Sequence, residues 1–170
     1  MTLNKRASVS LTLAATLALS ACGGGGGPPV PEGPRGIYIS TGDCVDAKLF
    51  DLETCRATIE YAIKVHRQTA PVYKTRRICE ASEVICERSF RDEFRPRLLA
   101  FLVQEGTGKE EGTVAVPLYP PNSMQAGFRS IDDTYYLPKD LTLTFSPMAQ
   151  KALMANLNTG GDRSKSKGMF

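Results

Sequence analysis

Hydrophobic positions along this 170-residue chain follow three patterns. The first is a run: Val9 to Leu19 is apolar apart from Ser10, Thr12 and Thr16. The second is a stripe. Leu52, Cys55, Ile59, Ala62, Ile63 and His66 recur at the i, i+3/i+4 spacing of an amphipathic helix, with Asp51 placed to cap it. The third is a set of short segments. Leu98-Leu99-Ala100-Phe101-Leu102-Val103 reads as a buried strand or a helix end. Thr113-Val114-Ala115-Val116 reads as a strand stopped by Pro117, and Leu141-Thr142-Leu143-Thr144-Phe145 alternates like a half-buried strand.

Breakers and caps divide these segments. Pro71 ends the first long helix; helix signals continue toward Arg95, and Pro96 ends or kinks the second helix. Ser146 and Pro147 supply an N-cap and a first-turn proline for a final helix through Leu157. The expected fold is α+β: a small helix-rich domain, then a few short strands, then a C-terminal helix. Gly160 to Phe170 is polar and basic and predicts a disordered tail.

The apolar run near the N-terminus is an address rather than a core element. Lys5 and Arg6 precede it, and small residues Ser20 and Ala21 follow, as in a secretory signal peptide. It is shorter than the ~20 residues that a spanning helix needs. Leu19-Ser20-Ala21-Cys22 looks like the lipobox of bacterial lipoproteins. That resemblance implies cleavage before Cys22, a diacylglycerol on its thiol and an acylated amine, which together exceed what stable anchoring requires. Gly23, rather than Asp, follows Cys22, which by the usual sorting pattern favours the outer membrane. Gly23 to Gly27 and the proline-rich stretch to Gly36 cannot build a core and form a tether. The chain thus divides into a signal peptide at 1–21, a Gly/Pro-rich tether at 22–36, one domain at 37–157 and a tail at 158–170. No internal run of 18 apolar residues competes with the lipid as an anchor.

Charge changes the picture little. Residues 1–21 hold two of the 21 basic residues and no acid; without them 19 basic residues face 18 acids, and the formal net charge falls from +3 to +1. A nucleic-acid partner is not expected, since that would need a clustered basic excess. Lys74 to Arg97 is dense in charge, but acids and bases alternate, as on a solvated helix face; an interaction surface is the alternative.

Cysteine usage is more telling. Beside Cys22 stand Cys44, Cys55, Cys79 and Cys86, an even number in an exported chain, which reads as two disulfides. Their spacing matches neither a zinc-ligand pair nor a C-x-x-C redox motif. Three pairings are open. Cys44–Cys55 is easily made, because Cys55 opens the capped helix and Cys44 lies just before the turn into it. Cys79 and Cys86 on one continuous helix would stand ~10.5 Å apart, too far for a bridge that needs Cα atoms within ~7 Å. Either the chain breaks between Ser82 and Ile85, or the bridges cross between the two cysteine pairs; local bridges are preferred. Ser40 and Thr41 before Cys44, and Thr75 before Cys79, make both regions read as short capped helices.

No catalytic constellation emerges. His66 is the only histidine, late on a helix beside Arg67 with no nucleophile near it in sequence, and reads as structural or solvent-exposed. There is no G-x-S-x-G, P-loop or H-E-x-x-H. Asp132-Asp133 and Glu110-Glu111 are adjacent acids whose side chains diverge, unsuited to paired work. Tyr119, Phe128, Tyr135 and Tyr136 are candidates for lining a groove, with core packing preferred.

Tyr38-Ile39-Ser40-Thr41-Gly42-Asp43-Cys44, Cys55-Arg56-Ala57, Thr69-Ala70-Pro71-Val72-Tyr73, and Cys79-Glu80 with Cys86-Glu87 together resemble the YgiB-like family of small bacterial envelope proteins. The resemblance continues more loosely through Phe90 to Val103 and through Pro117-Leu118-Tyr119-Pro120 to Gly127-Phe128-Arg129-Ser130. Family members often carry Gly between the last two cysteines; this chain has none from Ala81 to Ile85. The family has no assigned activity. In enterobacterial relatives the gene tends to neighbour one for an ATP-grasp ligase resembling glutathionylspermidine synthetase, which implies a pathway link. The expectation is a non-enzymatic envelope lipoprotein without cofactor or metal, held to the membrane through Cys22, facing the periplasm and acting on an unknown envelope partner. The alternative is a thiol-active or small-ligand-binding protein linked to the ligase's pathway.

Overall fold

Strands of the central sheet carry apolar residues on both faces, so the sheet must be covered twice. The computed structural model describes residues 33–106, 112–122 and 126–155. The signal segment, Cys22, Glu110, Glu111 and the tail from 158 lie outside the described residues. Strand β1 (Arg35–Tyr38) lies between β4 (Ala100–Glu105), which is antiparallel to it, and β8 (Thr144–Phe145), which is parallel. Strand β5 (Thr113–Leu118) pairs antiparallel with β4 and forms the edge, giving the order β5-β4-β1-β8. Register places Ile37 opposite Leu102, and Tyr38 opposite Phe101.

Period-two alternation sorts these residues into two cores. On one face Ile37, Ala100, Leu102, Leu118 and Phe128 pack with Leu143, Ala149 and Leu153. On the other, Tyr38, Phe101, Val103 and Ala115 pack with Cys44, Cys55, Ile59 and Ala62. The second face is covered by α1 (Thr41–Asp46) and α2 (Leu52–Thr69), each started by the expected cap: Ser40 Oγ accepts from Asp43 N, and Asp51 from Thr54 N. The α2 stripe of Cys55, Ile59, Ala62 and His66 is its buried side. Pro71 disfavours helical geometry at the residue before it, and Ala70 is extended at the helix end. Burying a side chain such as Ile59 contributes roughly 1.5–3 kcal/mol.

The first face is covered by helix α4, over residues 147–155, and by a small hairpin of β6 (Phe128–Arg129) and β7 (Tyr135–Tyr136). Ser146 caps α4 by accepting from Ala149 N, and its hydroxyl donates to Asp43 Oδ2, which also accepts from Ile39 N. One carboxylate thereby joins β1, α1 and the start of α4. Gly127 precedes β6 where a Cβ would lie 2.7 Å from the Tyr136 carbonyl oxygen, so no side chain fits.

The stretch after Pro71 departs from expectation. Instead of a helix running toward Arg95, α3 (Arg76–Ser82) is short, and β2 (Cys86–Arg88) and β3 (Phe94–Pro96) form an antiparallel hairpin. Thr75 caps α3 by accepting from Ile78 N; extended Glu83 ends it. That break lets Cys79 bridge Cys86 at a Cα separation of 6.2 Å, while Cys44 bridges Cys55. The pairing is local in both cases. Pro96 therefore sits in a strand, not at a helix end.

Three smaller corrections follow from the sheet. Arg35 and Gly36, read as the end of the tether, are the first residues of β1. Tyr38 folds back along the strand, and a methyl group on Gly36 would overlap its hydroxyl. Pro117 does not stop β5, because an edge strand tolerates a residue that cannot donate to the ladder. The strand read from Leu141 shrinks to Thr144–Phe145; Leu141 is 98% exposed, in a turn where Thr142 N donates to Asp140.

Candidate functional site

Helix α2 delivers His66 to the only imidazole position in the chain, one turn before Pro71 closes the helix. The residue is 3% exposed. A buried imidazole must be paired or carry a cost, and Tyr119, just past β5, meets it: its hydroxyl lies 2.9 Å from Nδ1. Burial, and after it the Glu83 charge, push the Tyr119 phenol up to about 12, so the hydroxyl keeps its proton and can donate to Nδ1. Glu87 Oε1 stands 3.4 Å from Nε2, close enough for attraction but without the alignment of a hydrogen bond.

His66 forms part of the wall of a cleft of about 800 Å³ between α2, the β2–β3 hairpin and the segment leading into β4. Its floor is apolar: Ile39, Ile63, Leu98, Leu99 and Phe101. Its charged wall holds Arg67, Arg88, Arg91 and Arg95 against Glu87 and Glu93. Arg88 is paired with Asp92 at 2.6 Å. Arg67, Arg91 and Arg95 have no ion-pair partner among the described residues. Arg95 Nη1 donates to the Arg67 carbonyl, but its Nε is buried and has no partner among the described residues. Phe90, at the hairpin tip, is fully exposed.

A second group of charges holds the cleft wall in place. Arg129 Nη2 donates to Glu83 Oε2 at 2.5 Å, and the two side chains are 6% and 10% exposed. Nη1 donates to Asp133 Oδ1 at 2.7 Å, and the Tyr73 hydroxyl donates to Glu83 Oε1. Burial alone would lower the Arg129 guanidinium; the Asp133 and Glu83 carboxylates outweigh it and hold the group above its usual range. The pair links β6 to the end of α3. Tyr73 and Phe94 exchange both backbone hydrogen bonds, at 2.7 and 2.8 Å, tying the hairpin to the chain after α2. Arg76 lies 5.4 Å over the Phe94 ring and also donates to the Cys86 carbonyl.

The structure brings few of the sequence-read candidates to this cleft. Cys44, Cys55, Cys79 and Cys86 are bridged and buried, and none lines it. Phe128 is core, Tyr136 packs against that core and Tyr119 backs the cleft through His66. Tyr135 bonds Asn122. Asp132 accepts from Ser130 while Asp133 serves Arg129, so the adjacent acids have separate tasks. Glu87 and the arginines were missed because alternating charge on a hairpin reads the same as on a solvated helix. His66 carried a usable signal: it occupies a core position of the α2 stripe, where a polar ring needs a partner.

Chemically the arrangement suits recognition. His66 is paired with the Tyr119 hydroxyl, and no serine, threonine or cysteine side chain bonds it among the described residues. No group of three metal-ligating side chains is found among the described residues, and no helix there is long and apolar enough to cross a membrane. A family model described as a protein of unknown function (DUF1190) matches residues 34–167. No curated protein and no solved structure matches the chain.

Proposed function

Because the chain belongs to the DUF1190 family, the YgiB-like proteins of unknown function, we propose a role from the geometry of the cleft: a lipid-anchored accessory protein of the bacterial envelope that acts by binding and not by catalysis. The observation that carries the binding role is an apolar floor ringed by arginines, of which Arg67, Arg91 and Arg95 have no ion-pair partner among the described residues and Arg95 Nε is buried without a hydrogen-bond partner there. Buried polar groups are nearly always satisfied, and the exceptions call for a partner.

The address rests on other support. The basic, apolar and small-residue order ending at Cys22 suits a lipoprotein signal, and two disulfides suit an oxidising compartment. The outer membrane, with the domain on its periplasmic side, is the proposed site. Thiol chemistry gains no support, since Cys79 and Cys86 are joined and buried. Small-ligand binding does gain support, from the cleft.

Protein taken from its native envelope tests both halves. Non-reducing peptide mapping by mass spectrometry should find an acylated Cys22 and two intact bridges; an unmodified Cys22 overturns the anchor. In the same preparation, a photo-reactive residue replacing Phe90 should capture a specific adduct that the same residue at exposed Tyr61, on α2, does not. Equal capture from both positions removes the cleft as the binding face.

A further inference from the structure

We propose that the cleft takes a small amphipathic anion: an acyl or aryl body bearing one phosphate or carboxylate. The inference rests on the binding role above and names its ligand class.

The size and lining set the class. About 800 Å³ is the scale of a small-molecule site. Ile39, Ile63, Leu98, Leu99 and Phe101 give an apolar floor, which selects a hydrocarbon body. Four arginines face Glu87 and Glu93, and Asp92 neutralises Arg88, which leaves the wall an excess of one positive charge. Glu93 and Glu87 stand on the hairpin beside them, and Glu87 is turned to His66 Nε2. A cationic ligand would have to approach that excess; an anionic one is drawn by it.

Arg95 sharpens the fit. It lines the cleft, has no ion-pair partner among the described residues, and its Nε has no hydrogen-bond partner there. A phosphate or carboxylate offers the several oxygens that guanidinium donors can share. Arg67 and Arg91, with no ion-pair partner among the described residues, remain to hold its charge. A plain hydrocarbon would leave all of these unmet.

Titration calorimetry on the full-length oxidised chain tests this with octyl phosphate, octanol and inorganic phosphate, each below its aggregation limit. Saturable one-to-one binding of octyl phosphate is expected, with octanol and inorganic phosphate each weaker by about tenfold or more. Arg95→Met should weaken octyl phosphate about tenfold and leave octanol unchanged. Arg91 is exposed, so Arg91→Met keeps the fold intact and should give a smaller loss in the same direction. Octanol binding as well as octyl phosphate, or unaltered binding by both variants, overturns the proposal. Absent octyl phosphate binding with Phe90 capture intact overturns the ligand class alone; loss of both overturns the binding role too. Vesicles of anionic phospholipid that compete with octyl phosphate identify a lipid headgroup as the source. Octyl phosphate binding that such vesicles leave untouched identifies a free acyl anion.

Discussion

The central sheet and the segment from Tyr73 to Arg97 are built on opposite principles. The sheet is held by burial: apolar residues alternate to both faces, and each face has its own cover. The Tyr73–Arg97 segment has few buried side chains, chiefly Cys79, Glu83, Cys86 and Pro96. It is held by a disulfide, a buried ion pair and two backbone hydrogen bonds between Tyr73 and Phe94. An apolar core cannot also present four arginines to a ligand. A segment fixed by staples can, and the cleft lies where the two constructions meet.

The sharpest way to break that arrangement is to cut the charge pair that joins them. Arg129→Met leaves Glu83 buried without its cation and should cost about 3–5 kcal/mol, read as a lower urea midpoint. Glu83→Leu added to Arg129→Met removes both charges and should recover much of the loss. Asp133 remains solvated, and the half-exposed Tyr73 hydroxyl can turn to water. A double variant no better than the single one would mean that the pair positions the segment by shape and not by charge.

What was legible in the sequence follows the same division. Asp51 and the stripe through His66, Ser40 and Thr75 as caps, and Ser146 with Pro147 are local signals, and each element formed where the signal stood. The bridge pairing was legible as a condition, a chain break after Ser82, which extended Glu83 supplies. The β2–β3 hairpin was not legible. Its strands are three residues long, and Phe94 is fixed by Tyr73, 21 positions earlier, a partner that periodicity cannot register. The cleft was hidden for the same reason: His66 meets Tyr119 across 53 residues. Pro117 misled because only sheet order reveals an edge strand.

A smaller effect separates the two bridges. Closing loops of 11 and 7 residues constrains the unfolded chain by about 2.8 and 2.4 kcal/mol in the chain-entropy account. The loss should be felt in different places. Cys44 and Cys55 belong to the sheet's own core, so replacing both with Ser should speed hydrogen exchange throughout β1 and β4. Replacing Cys79 and Cys86 should speed it in α3, β2 and β3 and leave β1 and β4 protected. Equal acceleration in β1 and β4 would show one cooperative unit instead of a core with a stapled segment.

The smallest expected effect belongs to acid. Among the described residues three carboxyls lie below their ordinary value of 3.8, and all serve turns or caps of the sheet and its covers. Asp51 is lowered by the Thr54 backbone and side chain, Asp132 mainly by the Ser130 hydroxyl, and Asp140 by Thr142. A group whose folded value is depressed contributes stability that is fully present above its unfolded value and lost as pH falls through the folded one. The loss therefore begins near 3.8 and grows below it. Asp132 is partly solvated, so solvent screening keeps its share on the order of a few tenths of a kcal/mol. Asp132→Asn retains an oxygen that can accept from Ser130 but cannot ionise. Its urea midpoint should change less than the wild type's between about pH 7 and about pH 3. An unchanged pH slope would remove Asp132 from the acid response and assign it to the other two carboxyls, at the cap of α2 and the turn before β8.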